Sequence, residues 1–209
     1  EPLQAVKRAR AVMSTAIFGG TFDPVHNGHL AAASAAANGF HIEKVFFVPV
    51  GHPPHKCAQP QAPYQHRLRM IELACAVDPR FVASRLEEPR AGTGLHYSVD
   101  TIGRLRQDLG PDEPLFFIIG ADAFAEFPLW YRRQEVAREV EFLVVSRPGW
   151  NLSPQQTDAF GVRAHYLQDV AMPISSTELR TLLCSREEVA NWLPPGVAEY
   201  ICKNRLYTI

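Results

Sequence analysis

Short apolar runs rich in β-branched and aromatic residues recur along this chain, with helical patterns between them. Two of the runs, VFFVPV at 45–50 and LFFII at 115–119, are apolar at nearly every position, which is typical of strands that are covered on both faces. Strands that alternate with helices indicate βαβ units and a mainly parallel sheet. The predicted strands are Thr15–Phe18, Val45–Val50, Phe81–Ser84, Leu115–Ile119, Phe142–Ser146 and Ala164–Leu167.

The segments between these runs have the composition and spacing of helices. HLAAASAAANGF at 29–40 contains strong helix formers and an Asn38-Gly39 stop signal. YQHRLRMIELACAV at 64–77 has apolar residues close to helical spacing, and SVDTIGRLRQDLG at 98–110 is predicted to have Ser98 as its N-cap. The proline-rich segment 51–63 is predicted to be a long loop directly after a strand, where open α/β sheets bind ligands.

Length and composition predict one domain over residues 13–209, with residues 1–12 as an extension of unknown role. Basic and acidic side chains nearly balance, 21 against 22, so the protein has no long-range electrostatic field that would attract nucleic acid. Any phosphate group must therefore be bound by a few local residues. No apolar stretch reaches the roughly 18–20 residues of a membrane span. Four scattered cysteines without a C-x-x-C pair are typical of reduced thiols, and a cytoplasmic location is expected.

The first predicted strand leads into GGTFDPVHNGH at 19–29, in which Gly19–Gly28 would form the connection to a first helix over His29–Asn38. Gly19 and Gly20 allow a ligand to approach the backbone, and Gly28 falls where amides at a helix N-terminus are exposed. Such amides bind anions, and the imidazoles of His26 and His29 can donate further hydrogen bonds to phosphate oxygens. The segment therefore predicts a site that stabilises a transferring phosphoryl or nucleotidyl group.

Two other interpretations of the histidine pair compete with this one. A zinc site would need a third protein ligand, and none lies at helical spacing from His26 and His29. A structural turn with incidental histidines is the stronger alternative. H-x-G-H arises by chance in about one such chain in fifty, so this short pattern alone only suggests a site. The preceding G-G-T-F-D-P, in its strand-to-helix context, argues against coincidence.

The segment resembles the signature of the HxGH nucleotidyltransferase superfamily, and most closely that of the bacterial nicotinate mononucleotide adenylyltransferases. The resemblance implies a Rossmann-like, three-layer αβα fold of the nucleotidyltransferase type and adenylyl transfer from ATP. It implies catalytic roles for His26 and His29. It also implies that ATP is contacted by Gly19, Gly20, Thr21, Phe22 and Gly28.

A second motif, PISSTELR at 173–180, lies near the other end of the chain. Ser175 and Glu178 have the spacing of a capping box, so a helix is predicted to begin there and to offer a second anion site. The alternative is an ordinary capped helix with Arg180 facing solvent. The motif resembles the superfamily's I-S-S-T-x-x-R segment, which implies that Arg180 and the helix start hold the β and γ phosphates. The residues of this helix start are Ile174, Ser175, Ser176 and Thr177.

Three internal segments resemble the family's remaining motifs. PVGHPPHK at 49–56 carries Lys56 as a phosphate partner, with His52 where many members have an amide side chain. HYSVDT at 96–101 places the Ser98 hydroxyl where it would suit a nicotinate carboxylate. IGADAFAEFPLWYRR at 119–133 supplies Gly120 and Asp122 on the ATP side, with Asp122 accepting from ribose hydroxyls.

The same segment supplies Trp130, which could stack on a pyridinium ring, and Tyr131 beside it. Arg147 is predicted to contact phosphate because its loop follows a strand. The alternatives are a core or surface-covering role for Trp130, a helix N-cap for Asp122 and a loop charge for Arg147.

Together these motifs imply that nicotinate mononucleotide attacks the α-phosphorus of ATP, forming nicotinate adenine dinucleotide and pyrophosphate in NAD biosynthesis. Magnesium would bridge phosphate oxygens, with water rather than protein side chains as its other ligands. The predicted partners are these two substrates, with no nucleic acid or membrane, and a homo-oligomer is left open. The alternatives are a nicotinamide mononucleotide or dual-specificity enzyme, a phosphopantetheine enzyme, a non-catalytic nucleotide-binding regulatory module and a metal-binding protein.

Overall fold

The computed structural model describes residues 13–52, 60–92, 94–110, 112–146, 160–167, 170, 173–185 and 187–208. Its strands form one six-stranded sheet in the order β3-β2-β1-β4-β5-β6, and every pairing is parallel. The strands are β1 (Ser14–Gly20), β2 (Ile42–Pro49), β3 (Phe81–Ala83), β4 (Leu115–Gly120), β5 (Glu141–Val145) and β6 (Ala164–Leu167). This is the strand order of the doubly wound Rossmann fold, in which the order reverses between β1 and β4.

Helices cover both faces of the sheet. Their bounds are α1 (Asn27–Gly39), α2 (Tyr64–Cys75), α3 (Ser98–Asp108), α4 (Ala121–Ala125), α5 (Arg133–Glu139), α6 (Ser176–Cys184) and α7 (Pro195–Lys203), with a 3-10 turn at Phe127–Leu129. Buried side chains of α1, α2, α6 and α7 form one hydrophobic layer with one face of the sheet. Those of α3, α4 and α5 form a second layer with the other face. The predicted three-layer αβα architecture is therefore confirmed.

The strand predictions from apolar runs are also confirmed, with small shifts at the ends. The predicted first residue of α1 and the predicted N-cap of α3 were wrong. Helix α1 begins at Asn27 rather than at His29, so Gly28 lies inside its first turn. The N-cap of α3 is Tyr97, and Ser98 is the first residue of the helix. The Asn38-Gly39 signal does mark the end of α1, although the residue with left-handed backbone geometry is His41 (φ 51°).

One charged side chain, that of Arg67 on α2, is almost fully buried beneath the carboxyl edge of the sheet, with 2% exposure. Its guanidinium donates to the carbonyls of Thr21 (2.8 Å), Val50 (2.9 Å) and Ala62 (3.1 Å). These carbonyls belong to the segments that follow β1 and β2 and to the segment just before α2. Burial lowers the pKa of Arg67, because a charged guanidinium is less well solvated there than in water. Arg67 therefore holds together the loops at the edge where ligands bind in such sheets.

We expect Arg67→Met to lower the free energy of unfolding by at least about 3 kcal/mol, because three backbone carbonyls lose the hydrogen bonds that a buried guanidinium donates to them. Arg69→Met is the matched control, since Arg69 lies on the same helix and its one ion pair within the described part of the chain is a half-exposed one with Glu72. That change should cost less than about 1 kcal/mol. Urea unfolding of both variants measures the difference, and equal losses would contradict the role given to Arg67.

Candidate active site

A cleft of about 500 Å³ opens beyond the carboxyl ends of β1 and β4, at the point where the strand order reverses. Every residue predicted for catalysis or for ATP lines it: Gly19, Gly20, Thr21, Phe22, His26, Gly28, His29, Gly120, Asp122, Ile174, Ser175, Ser176, Thr177 and Arg180. A larger cavity of about 780 Å³, beside α3, contains none of the predicted site residues. The fold thus brings the two ends of the chain to one cleft.

The two histidines lie against each other at the start of α1. His26 is the N-cap residue and has 3% exposure, and its ring centroid lies 3.7 Å from that of His29. Nδ1 of His29 accepts a hydrogen bond from the backbone N–H of His26 (3.1 Å). A neutral imidazole that accepts at Nδ1 carries its proton on Nε2. The backbone therefore sets the His29 tautomer in which Nε2 is a donor.

The second motif begins α6 as predicted, and the capping box is confirmed. The backbone N–H of Glu178 donates to Oγ of Ser175 (3.2 Å), and the Ser175 N–H donates to the Glu178 carboxylate (2.7 Å). With Ser175 as N-cap, the first-turn amides of α6 lie beside the cleft. Two helix N-termini, those of α1 and α6, therefore contribute residues to the same cleft, and such N-termini favour bound anions.

Direct hydrogen bonds join the two motifs. The Ser176 hydroxyl donates to the carbonyl of Pro24 (2.9 Å), across 152 residues of sequence. Nη1 of Arg180 donates to the carbonyl of Asp23 (2.8 Å), and Nη2 donates to the Thr177 hydroxyl (3.1 Å). Arg180 therefore lies along the cleft wall instead of facing solvent, so the alternative of a solvent-facing arginine was wrong.

Asp23, to which the sequence analysis gave no role, is a buried carboxylate at the back of the cleft. It accepts hydrogen bonds from the backbone N–H groups of Gln61 (2.8 Å) and Ala62 (3.1 Å) and from the Tyr207 hydroxyl (2.7 Å). Nη1 of Arg180 lies 4.0 Å from Oδ2. The partners are far away in sequence, so no local pattern around Asp23 could have indicated them.

The two glycines that end β1, Gly19 and Gly20, each lie close to an aromatic ring of the protein. A Cβ on Gly19 would lie 3.2 Å from Cζ of Phe117, and a Cβ on Gly20 would lie 3.2 Å from the ring of Phe22. Phe22 itself has a left-handed backbone (φ 51°). These glycines therefore make room for aromatic packing beneath the cleft, in addition to the expected close approach of a ligand.

Of the residues predicted for the mononucleotide, the structure describes Ser98, Trp130 and Tyr131, and none of these three lines the 500 Å³ cleft. Trp130 is half-buried and packs edge-on against Phe117, with ring centroids 5.6 Å apart. The exposed Tyr131 ring lies 4.5 Å from that of Tyr97, which immediately precedes Ser98. Trp130, Tyr131 and Ser98 are thus brought to one region, whereas Lys56 and Arg147 lie outside the described residues.

Asp122 occupies the cleft but is not a helix N-cap. The N-cap of α4 is Gly120, and Asp122 is the second residue of that helix. The capping alternative was therefore wrong. Asp122 lines the same cleft as His26 and His29, and its contact with the ribose hydroxyls of ATP stays a prediction.

Hydrogen bonds hold the start of the loop after β2 against α3. The backbone N–H of His52 donates to Nδ1 of His96 (3.0 Å), and the His96 N–H donates to the His52 carbonyl (2.8 Å). Burial lowers the pKa of His96, and the nearby Arg104 adds to this effect. The neutral ring is the form that can accept the His52 N–H.

A buried carboxylate, that of Glu87, supports the same loop. It accepts from the Thr101 hydroxyl (2.7 Å) and from the Gly51 N–H (3.4 Å), and burial raises its pKa. A Cβ on Gly51 would lie 2.0 Å from the Glu87 carbonyl oxygen, so only glycine fits there. Sequence reasoning identified neither Glu87 nor the contact between His52 and His96.

Among the residues that the structure describes, no group of three or more His, Cys, Asp or Glu side chains is placed to hold a metal ion. None of the described helices is long and apolar enough to cross a membrane. What the described cleft offers is a row of amides, hydroxyls, imidazoles and one guanidinium, which suits an extended polyanion such as a polyphosphate.

Comparisons with known proteins agree with this geometry. The cytidylyltransferase-like family model matches residues 17–182. A probable nicotinate-nucleotide adenylyltransferase of Solibacter usitatus is 48% identical over 93% of this chain and 100% of its own length. One from Moorella thermoacetica is 40% identical over 91% of this chain and 90% of its own.

Solved structures show the same fold at lower identity. The chain is similar to Plasmodium falciparum nicotinic acid mononucleotide adenylyltransferase complexed with NaAD, with a TM-score of 0.74 and 19% identity. The match covers 93% of this chain and 97% of the other. At this identity the likeness supports the architecture alone.

Proposed function

Because this chain belongs to the cytidylyltransferase-like family and, within it, to the nicotinate-nucleotide adenylyltransferases, we propose that it transfers the adenylyl group of ATP to nicotinate mononucleotide. The products are nicotinate adenine dinucleotide and pyrophosphate, which places the reaction in NAD biosynthesis. The main support is the convergence of the GGTFDPVHNGH and PISSTELR motifs on one cleft.

The chemistry is an in-line displacement at phosphorus. A phosphate oxygen of the mononucleotide forms a bond to the α-phosphorus of ATP, and the bond from that phosphorus to the α,β-bridging oxygen breaks. Pyrophosphate leaves with the electron pair of that bond. Because the nucleophile is anionic at neutral pH, no general base and no covalent intermediate are needed, and the protein contributes positioning and electrostatic stabilisation.

In this proposal the two histidines act on the triphosphate. Nε2–H of His29 donates to a phosphate oxygen, and the hydrogen bond at Nδ1 holds the ring in the donor tautomer. His26 lies against it and shares the same anion. Arg180 and the first-turn amides of α6 hold the β and γ phosphates and therefore the leaving pyrophosphate.

The binding site for the mononucleotide is proposed to lie around Trp130, which packs against Phe117. Ser98 at the start of α3 would bind the nicotinate carboxylate, and Trp130 with Tyr131 would contact the pyridinium ring. Lys56 and Arg147 are proposed as phosphate contacts on sequence grounds alone. A carboxylate-binding helix start favours nicotinate over its neutral amide.

Magnesium is proposed as the metal that accompanies ATP. The described cleft has Asp122 and the buried, fully hydrogen-bonded Asp23 as its acidic residues, so phosphate oxygens and water would supply most of the ligands. When bound, the metal neutralises charge on the phosphates. A cytoplasmic location is proposed from the scattered cysteines, which are typical of reduced thiols.

We expect His29→Asn to lower kcat by about 100- to 1,000-fold while the protein stays folded. An asparagine oxygen can still accept the His26 N–H, but the asparagine Nδ2 donor is one bond nearer to Cβ than Nε2 and does not reach the position of the Nε2 donor. His41→Asn is the control, because His41 is exposed and has a left-handed backbone that asparagine tolerates. Steady-state kinetics and thermal unfolding measure both, and near-normal kcat in His29→Asn would refute the donor role.

The choice of acceptor is tested by pyrophosphate release from ATP and Mg²⁺ with nicotinate or nicotinamide mononucleotide. We expect at least about 10-fold higher kcat/KM with the nicotinate form, since only it offers a carboxylate to the start of α3. Equal or better turnover of the nicotinamide form would instead support the dual-specificity or nicotinamide enzyme.

A further inference from the structure

We propose that Tyr207 is a positioning residue for the pyrophosphate end of the cleft, acting on Arg180 through Asp23. The Tyr207 hydroxyl donates to Oδ1 of Asp23 (2.7 Å), 184 residues away in sequence. Tyr207 lies after α7, and its ring packs against the hydrophobic layer that contains α6 and α7. It does not line the cleft. Any effect on a ligand must therefore pass through Asp23.

The Asp23 carboxylate is held on both oxygens. Backbone N–H groups of Ala62 and Gln61 bind Oδ1 and Oδ2, and the Tyr207 hydroxyl is the one side-chain hydroxyl that binds this carboxylate among the described residues. Asp23 has 2% exposure, so water cannot readily replace a lost donor. Removing the hydroxyl would leave Oδ1 with the longer 3.1 Å bond from Ala62 alone.

Asp23 also contacts Arg180. Nη1 of Arg180 donates to the Asp23 carbonyl (2.8 Å) and lies 4.0 Å from Oδ2. A shift of Asp23 therefore moves the guanidinium that faces the cleft. Small displacements of groups that hold a reacting ligand weaken binding and turnover strongly, because their geometry is set in advance.

The hydroxyl is a dependable donor at this position. Burial and the neighbouring carboxylate raise the pKa of Tyr207, so the phenol keeps its proton throughout the range in which the protein is studied. Its backbone is left-handed (φ 62°), which is uncommon for a tyrosine and fits a residue held by its side-chain contacts.

The affinity for inorganic pyrophosphate, measured by calorimetry, tests this role without relying on turnover. The inference rests on the proposed function only in naming pyrophosphate as the group that Arg180 holds. We expect Tyr207→Phe to weaken binding about 10-fold while the ring packing and the thermal unfolding temperature are largely retained. In an Arg180→Met background, Tyr207→Phe should cause no further loss.

Tyr200→Phe is the matched control, because the Tyr200 hydroxyl is hydrogen-bonded to Nδ1 of His66 (2.9 Å) and does not contact the cleft. It should bind pyrophosphate as the wild type does. Three results would overturn the proposal. Tyr207→Phe could bind pyrophosphate as tightly as the wild type, or Tyr207→Phe could weaken pyrophosphate binding equally in the Arg180→Met background. The third is that the wild type does not bind pyrophosphate. If the wild type binds pyrophosphate but transfers no adenylyl group, the proposed function fails and the positioning role stands.

Discussion

Two buried charges of opposite sign, Asp23 and Arg67, govern the edge of the sheet where the cleft forms. Burying such groups is costly unless hydrogen bonds satisfy them, and here backbone groups supply most of these bonds. Arg67 binds three carbonyls, and Asp23 binds two N–H groups and a hydroxyl. Both bind the backbone of Ala62, Asp23 at its N–H and Arg67 at its carbonyl, so the segment after β1 and the segment just before α2 are held by the same pair. These hydrogen bonds form a frame that holds the loops at the carboxyl edge of the sheet in place.

That frame explains how short motifs can act from distant parts of the chain. The amides of α1 and α6 favour an anion only if their helix starts keep a fixed separation, and the bonds from Ser176 to Pro24 and from Arg180 to Asp23 set it. Donors that are fixed before the ligand arrives need no reorganisation during reaction, which is the main advantage of such a site. The position beyond β1 and β4 gives both helices access to the same ligand.

The fold and the lining of the cleft were predictable because their signals are local. Continuous apolar runs identified β2 and β4, and glycine, histidine and capping patterns identified the two segments that begin α1 and α6 beside the cleft. The supports were not predictable, since Asp23, Arg67 and Tyr207 find their partners only after the chain has folded. Trp130 remained ambiguous for another reason: an indole that packs on Phe117 can also present a face to a ligand, and its sequence context is the same in both cases. Resemblance to a family, not residue chemistry alone, led to the acceptor.

The central claim is that two helix starts hold one triphosphate, and it is tested most directly by comparing two ligands. Calorimetry would measure the affinities of α,β-methylene ATP and of AMP for the wild type and for Arg180→Met, each with Mg²⁺. The wild type should bind the triphosphate more tightly than AMP, and the variant should lose most of that difference while binding AMP normally, since the role proposed for Arg180 is to hold the β and γ phosphates, which AMP lacks. Equal weakening of both ligands, or no weakening of either, would contradict the account.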